Sequence, residues 1–269
     1  AWITALRRHG TLSFGEAAGF AHRFAEDGFA VYDVLAKNIA KNEAGYRRWA
    51  YNAALFLPDG APPKVGDSFV QADLARSIRY MIEQERAALP QGREAGLQAA
   101  HDAFYRGDIA REITRFQAEE GGYLTMDDMA SYRSPIEPAL REQWRGHALL
   151  SCGPWCQGPT LAEALLLVER AGLGGLAHNS PEYIHLVTEC LKAAFADREY
   201  HVGDPRFVAM PLERLLSQAY ADELRRTIRR GRHRPARELD TPAVGRAAEH
   251  PNTTHLSVID RDGTMVATT

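Results

Sequence analysis

Apolar residues recur every three to four positions through most of the chain, a spacing that predicts helices. A first helix is expected over residues 2–9, and a second one begins after Ser13. Ser13 is a suitable N-cap because Glu16 follows three residues later, and Gly28 ends the same helix. Further helices are expected over 31–41, 72–88, 97–119, 160–171 and 181–198.

Two segments alternate apolar and polar residues in the manner of strands. Residues 137–151 predict extended structure, and residues 254–269 predict a β-hairpin with its turn at 260–263. Residues 123–136 are expected to form an irregular link. Residues 229–252 are rich in Arg, Pro and Ala and lack any periodicity, which predicts a mobile loop ahead of the hairpin.

The composition is that of a globular protein. The chain has 269 residues, of which 45% are hydrophobic and 25% charged, so it can bury a sizeable core. A net charge of -3 gives no reason to expect nucleic acid or a membrane surface as a partner. No apolar run is long enough to predict a membrane-spanning helix.

Three cysteines, Cys152, Cys156 and Cys190, are too few to predict a disulfide framework. Cys152 and Cys156 are four residues apart, and no second pair of ligands matches them. A structural zinc site is therefore not expected. No other motif predicts a metal or a cofactor.

Both ends of the chain suggest cuts through a longer protein. Ala1-Trp2 opens within a helical pattern, without an initiator Met or the layout of a signal peptide, and the last residues fall within a strand pattern. The compartment is therefore not predicted, and periplasmic, secreted and cytoplasmic locations all stay open.

The junction between the loop and the hairpin is polar, with the sequence Asn252-Thr253-Thr254-His255. Taken alone, this segment is most simply an exposed strand edge. However, residues 253–260 (TTHLSVID), followed by Asp262-Gly263, closely resemble the start of the small subunit in the γ-glutamyltransferase (γ-glutamyltranspeptidase) family.

Other segments resemble the same family in the same order, so the resemblance covers essentially the whole chain. They are FLPDG at 56–60, GD at 66–67, QADLA at 71–75, AFYRGDIA at 103–110, GGYLTMDD at 121–128, ADR at 196–198 and GDP at 203–205.

This resemblance implies an α+β fold, the four-layer αββα sandwich of N-terminal-nucleophile hydrolases. The chain would form a part of that sandwich. Residues 1–252 would be a mostly helical portion of the large subunit, ending in the mobile loop 229–252. Residues 253–269 would begin the small subunit with the hairpin. The family implies a zymogen that cleaves itself between Asn252 and Thr253, leaving Thr253 as the N-terminal nucleophile.

An N-terminal threonine suits this chemistry because its own α-amino group can act as the base that its hydroxyl needs. Strand alternation places His255 on the same side as Thr253 and Thr254 on the opposite side. Thr254, His255 and Thr269 are weaker candidates that could support or line the same site. His255 could shuttle protons, although a histidine at such a position more often stabilises its strand by hydrogen bonding.

The resemblance implies a γ-glutamyl amide-bond hydrolase or transferase that takes glutathione-like small molecules, with water or an amino acid as acceptor. Its macromolecular partners would be the large and small subunits of its own precursor. The alternatives are an amidohydrolase resembling glutaryl or cephalosporin acylases, and a non-catalytic relative that is never processed.

Two departures from the family pattern bear on these alternatives. Cys152–Gly158 replaces the family's Ser-Ser-Gly-Gly loop, which puts the substrate specificity in doubt because such loops border active sites. Residues 82–100 are longer than the usual connection and are expected to be a surface elaboration. Both features suit a divergent, acylase-like branch.

The family's groups that bind the substrate carboxylate and amine, and those that stabilise the oxyanion, fall outside residues 1–269. The 269-residue piece by itself is therefore expected to be inactive.

Overall fold

The computed structural model describes residues 1–235 and 255–268. Two compact units divide the chain, one over Ala1–Pro135 and one over Ile136–Thr269. The predicted boundary at 252/253 concerns the subunits that self-cleavage would produce, and it stays a prediction.

The first unit is mainly helical. Its helices are α1 (Trp2–His9), α2 (Phe14–Asp27), α3 (Asp33–Lys41), α4 (Glu43–Tyr46), α5 (Ala50–Phe56), α6 (Ala72–Ala88), α7 (Arg93–Tyr105), α8 (Asp108–Glu119) and α9 (Met126–Ser131). The short strands β1 (Phe29–Ala30) and β2 (Ser68–Phe69) pair antiparallel.

Helix α2 begins as predicted, and a buried carboxylate supports its first turn. The Ser13 hydroxyl accepts from the Glu16 amide at 3.1 Å, and the Ser13 amide donates to the Glu16 carboxylate at 2.8 Å. Glu85, only 2% exposed, accepts from the backbone amides of Phe14 and Gly15 at 2.6 and 2.7 Å.

Residues 82–100 are not a surface elaboration, contrary to the expectation from the family pattern. Leu97 and Ala100 are fully buried with Ile3 and Phe14 in one of the hydrophobic clusters of the first unit. The segment therefore supplies core side chains.

The single helix expected over 97–119 is in fact two helices. The Gly107 amide donates to the Asp102 carbonyl at 2.6 Å, which ends α7 before α8 starts at Asp108. The link expected over 123–136 contains α9, which Thr125 and Asp128 start with a capping box. Apolar periodicity does not show the break between α7 and α8, because the apolar pattern continues past it.

The second unit combines helices with two hairpins. Its elements are β3 (Leu140–Trp144), β4 (His147–Ser151), α10 (Gly158–Arg170), α11 (Pro181–His201), α12 (Leu212–Leu215), α13 (Gln218–Thr227), β5 (Leu256–Ile259) and β6 (Met265–Thr268). β3 and β4 pair antiparallel through a turn at Arg145 and Gly146, both with positive φ.

The core of the second unit lies where α10 packs against α11 and α13. Leu167, Leu186, Cys190 and Ala194 are all fully buried there. Through the described parts of the chain, none of the helices has the length and apolar character that crossing a membrane requires.

Candidate active site

The hairpin that follows the predicted nucleophile forms where the sequence predicts it. β5 and β6 pair antiparallel with Leu256 opposite Thr268 and Ile259 opposite Met265. Its turn is fixed by Asp260, whose Oδ1 accepts from the amides of Asp262 and Thr264, both at 2.9 Å.

These backbone donors lower the pKa of the Asp260 carboxyl, the Thr264 amide most of all. Gly263 completes the turn with φ 85°, a backbone conformation that suits glycine. The turn thus sets the register of the strand that begins just after His255.

His255 is the one predicted site residue within the described part of the chain. It is exposed, and its Nε2 lies 2.7 Å from the Ser257 hydroxyl, two residues along the same side of the strand. Asn252, Thr253, Thr254 and Thr269 lie outside the described residues, as does most of the predicted loop 229–252. The structure therefore tests neither the nucleophile nor the cleavage position.

Apolar side chains on the hairpin are left uncovered by the described residues. Leu256, Val258, Ile259, Met265 and Val266 are each more than half exposed. A free two-stranded hairpin is marginal in water, so these side chains need a covering layer for a stable sheet.

The loop that replaces the family's Ser-Ser-Gly-Gly segment is tightly built. The Cys156 amide donates to the Gly153 carbonyl at 3.0 Å, and the Trp155 indole donates to Glu137 Oε2 at 2.7 Å. Arg198 of α11 donates to the side chain of Gln157 at 3.1 Å. Side-chain contacts from Trp155 and Gln157 thus hold the loop to Glu137, which precedes β3, and to α11.

Just beyond this loop, three helices bring together polar side chains, of which only Asp197 lies in one of the segments that resemble the family. Glu163 on α10 is 3% exposed and forms a hydrogen bond with Asp197 on α11. The Tyr220 hydroxyl on α13 donates to the two oxygens of Asp197 at 2.9 and 3.1 Å. Glu163 Oε1 and the buried Thr160 hydroxyl, one turn earlier, have no partner among the described residues.

Burial, followed by the hydrogen bond and negative charge of Asp197, raises the pKa of Glu163 to about 10. Glu163 is therefore a neutral acid near pH 7 that donates to Asp197. Burial and the bond to Asp197 also raise the pKa of Tyr220. The sequence did contain a signal, because Glu163 interrupts an otherwise apolar run at 161–168.

We expect the Glu163→Gln variant to gain stability relative to the wild type as pH rises. The pKa of Glu163 is raised in the folded state. In the wild type, the protonated Glu163 side chain therefore stabilises the fold fully below about pH 4.5, and this stabilisation is lost as pH rises towards 10. The difference in free energy of unfolding should grow by up to about 1.4 kcal/mol per pH unit within this window. Urea unfolding at pH 5.5 and 7.5 measures this difference.

Glu169→Gln is the matched control, because Glu169 is exposed on the same helix. It should follow the wild type at both pH values. A Glu163→Gln variant with the pH dependence of the wild type would show that Glu163 ionises normally in the folded protein.

Metal ligands do not cluster in the described ranges, 1–235 and 255–268: no group of three or more His, Cys, Asp or Glu side chains there could hold a metal ion. The polar side chains of Glu163, Asp197 and Tyr220 can exchange protons and hydrogen bonds with one another.

Comparison with known proteins relates the whole chain to one family model, described as Gamma-glutamyltranspeptidase, which matches residues 1–269. The Acylase ACY 1 proenzyme of Pseudomonas sp. (strain SE83) is 33% identical over 269 residues, which is 100% of this chain and 45% of that protein. The Glutathione hydrolase proenzyme of Escherichia coli (strain K12) is 30% identical over 267 residues, 98% of this chain and 43% of that protein. The chain thus spans less than half the length of these relatives.

A solved structure shares the fold. The crystal structure of Helicobacter pylori gamma-glutamyltranspeptidase aligns with a TM-score of 0.77 and 26% identity, covering 93% of this chain and 68% of that chain. This similarity confirms the predicted fold class, α+β of the four-layer αββα type, present here in part.

Proposed function

Because this chain belongs to the γ-glutamyltranspeptidase family, we propose that the complete protein is a self-processing enzyme that cleaves γ-glutamyl amide bonds through Thr253. The observation that carries the proposal is the segment 253–263, which resembles the start of the family's small subunit. Its described part forms the hairpin and turn that this resemblance requires.

Self-processing would come first, since Thr253 has no free amine while Asn252 is attached. The Thr253 hydroxyl attacks the carbonyl carbon of Asn252, and the acyl group moves from the Thr253 nitrogen to its oxygen. Water then hydrolyses the resulting ester. The products are a carboxylate on Asn252 and a free α-amino group and hydroxyl on Thr253.

The freed amino group supplies the base for catalysis. A terminal α-amino group has a pKa of about 7.7–8.0, so a useful fraction is unprotonated near neutral pH. It accepts the proton of the Thr253 hydroxyl while the oxygen attacks the γ-glutamyl carbonyl. The amine of the substrate leaves with a proton, and an acyl-enzyme ester stays on Thr253.

Either water or the amino group of an acceptor can then attack the ester. Water completes hydrolysis, and an amino acid completes transfer of the γ-glutamyl group. Both routes return Thr253 to its free form, so hydrolysis and transpeptidation share every step up to the acyl-enzyme.

The other predicted residues have supporting roles in this proposal. Thr269 follows the hairpin sixteen residues beyond Thr253, and in this proposal it lines the same site. The hydrogen bond between His255 and Ser257 favours a role in holding the strand over proton transfer. Thr254 falls on the opposite side of the strand by alternation.

Glutathione-like molecules are the proposed substrates, by analogy with the Escherichia coli glutathione hydrolase proenzyme. The Acylase ACY 1 proenzyme is similar over all 269 residues. It supports the second candidate, an acylase that accepts glutaryl or related acyl groups. The loop Cys152–Gly158 departs from the family pattern, and loops of this kind border active sites.

A pair of chromogenic amides tests the substrate class with the complete protein. γ-Glutamyl p-nitroanilide and glutaryl p-nitroanilide differ only by the α-amino group of the acyl part. We expect kcat/KM to be at least about 10-fold higher for the γ-glutamyl compound, because a site built for the charged amine loses that interaction with the glutaryl analogue.

The reverse preference would replace the γ-glutamyl proposal with the acylase candidate. Release from neither compound, together with an unsplit chain, would indicate the non-catalytic relative. A Thr253→Ala sample measured in parallel corrects for contaminating amidases.

A further inference from the structure

The second unit contains all three cysteines of the chain, and they lie in two different environments. Cys152 and Cys156 are half-buried in the loop before α10 and are free thiols. Cys190 is fully buried in the core on α11. Nothing in the γ-glutamyl chemistry proposed above uses any of them.

A turn brings Cys152 and Cys156 side by side. The Cys156 amide donates to the Gly153 carbonyl at 3.0 Å, which closes the segment between the two residues. The Cys156 thiol donates a hydrogen bond to the sulfur of Cys152. The two side chains therefore interact, in a loop that leaves both partly accessible.

The start of α10 holds the Cys152 sulfur from the other side. The backbone amide of Gly158, the first residue of the helix, donates to this sulfur, and the Ser151 hydroxyl lies 3.9 Å from it. Gly158 permits this approach because a Cβ there would lie 1.8 Å from the Cys152 carbonyl oxygen.

These contacts make the two thiols unequal. Burial of the Cys152 thiol opposes its ionisation, but the donors from Cys156, Ser151 and Gly158 outweigh burial and lower its pKa. Burial and the bond donated to Cys152 raise the pKa of Cys156. A thiol of lowered pKa beside a second thiol of raised pKa is the arrangement that thiol–disulfide exchange uses.

We propose that Cys152 and Cys156 form a redox-active dithiol that reduces low-molecular-weight disulfides. The Cys152 thiolate attacks one sulfur of the small disulfide, forming a mixed disulfide and releasing one thiolate, which takes up a proton. Cys156 then loses its proton and attacks the Cys152 sulfur, releasing the second thiol. The protein is oxidised by two electrons to the Cys152–Cys156 disulfide, and the small disulfide is reduced to two thiols.

Cys190 provides an internal reference for this reaction. Its sulfur is fully enclosed, and burial raises its pKa to about 11. It should not react while the protein is folded. The dithiol reaction involves no property of Thr253 and is independent of the proposed amide chemistry.

Dithiodipyridine, a small aromatic disulfide, tests the inference on the reduced full chain. We expect release of two thiopyridone molecules per chain and no pyridyl adduct on the product. The tryptic peptide 146–170 contains both cysteines and should lose the mass of two hydrogens. Pyridyl adducts retained on both Cys152 and Cys156 would overturn the dithiol.

Single variants separate the two roles. Cys156→Ser should release one thiopyridone rapidly and retain a stable adduct on Cys152, since the resolving thiol is missing. Cys152→Ser should react at least about 10-fold more slowly, and Cys190→Ala should behave as the wild type. Equal rates for Cys152→Ser and Cys156→Ser would contradict the assignment of Cys152 as the attacking thiol. The peptide map of the wild type shows by itself whether Cys152 and Cys156 form a disulfide.

Discussion

Replacing Thr253 with alanine is expected to leave the complete protein as one uncleaved chain without amidase activity. The variant lacks the hydroxyl that attacks the Asn252 carbonyl, so the N-to-O acyl shift has no acceptor oxygen. Without cleavage, no terminal amine forms to act as the base. Loss of a nucleophile typically costs on the order of 10⁴-fold or more in rate, and we expect the same here.

Two further variants make this experiment specific. Thr253→Ser keeps a hydroxyl and should keep both self-cleavage and activity, at reduced rates. Thr264→Ala removes a threonine hydroxyl from the turn of the same hairpin, keeps the backbone amide that donates to Asp260, and should cleave normally. Gel electrophoresis and release of p-nitroaniline measure both properties. Cleavage of Thr253→Ala at 252/253 would assign the nucleophile to another residue.

A second large effect is expected at Gly158, where the loop Cys152–Gly158 meets α10. An alanine Cβ there would lie 1.8 Å from the Cys152 carbonyl oxygen and 2.9 Å from the Ser151 hydroxyl. The carbonyl is backbone, so the loop or the start of α10 must move. Such overpacking typically costs about 1–3 kcal/mol, and we expect the upper end of this range.

Gly174→Ala is the matched control for Gly158→Ala. Gly174 lies in the same unit, and a Cβ there would meet nothing within 4 Å. Its effect should stay within about 0.5 kcal/mol. Urea unfolding gives both values. Equal stabilities of the two variants would mean that the Cys152 carbonyl oxygen does not lie as close to Gly158 as it does in the structure.

Local signals in the sequence were sufficient for elements with strong caps or long periodicity. Ser13 and Glu16 predicted the start of α2, and α6 (Ala72–Ala88) has the expected bounds. The break between α7 and α8 was missed because the hydrogen bond from Gly107 to Asp102 interrupts an apolar pattern that continues past it.

Tertiary contacts explain the remaining differences. Residues 82–100 look like an insertion in sequence, but Glu85 caps α2 and Leu97 fills the core of the first unit. Contacts between residues so far apart in sequence leave no periodic trace. The pair of buried Glu163 and half-buried Asp197 depends in the same way on helices α10 and α11 packing together.

The candidate nucleophile came from resemblance, since no physical property of residues 252–255 distinguishes them from an exposed strand edge. The hairpin turn is different, because Asp260 and Gly263 predict it from their own chemistry and the structure confirms it. Turn residues act locally, whereas a nucleophile is defined by groups that other parts of a protein bring to it.

Intact-mass spectrometry of the purified complete protein tests the central claim most directly. We predict two polypeptides, and the smaller one should begin at Thr253 with a free α-amino group. A single unsplit chain after prolonged incubation, or a smaller polypeptide that begins at any other residue, would contradict the assignment of Thr253 as the N-terminal nucleophile.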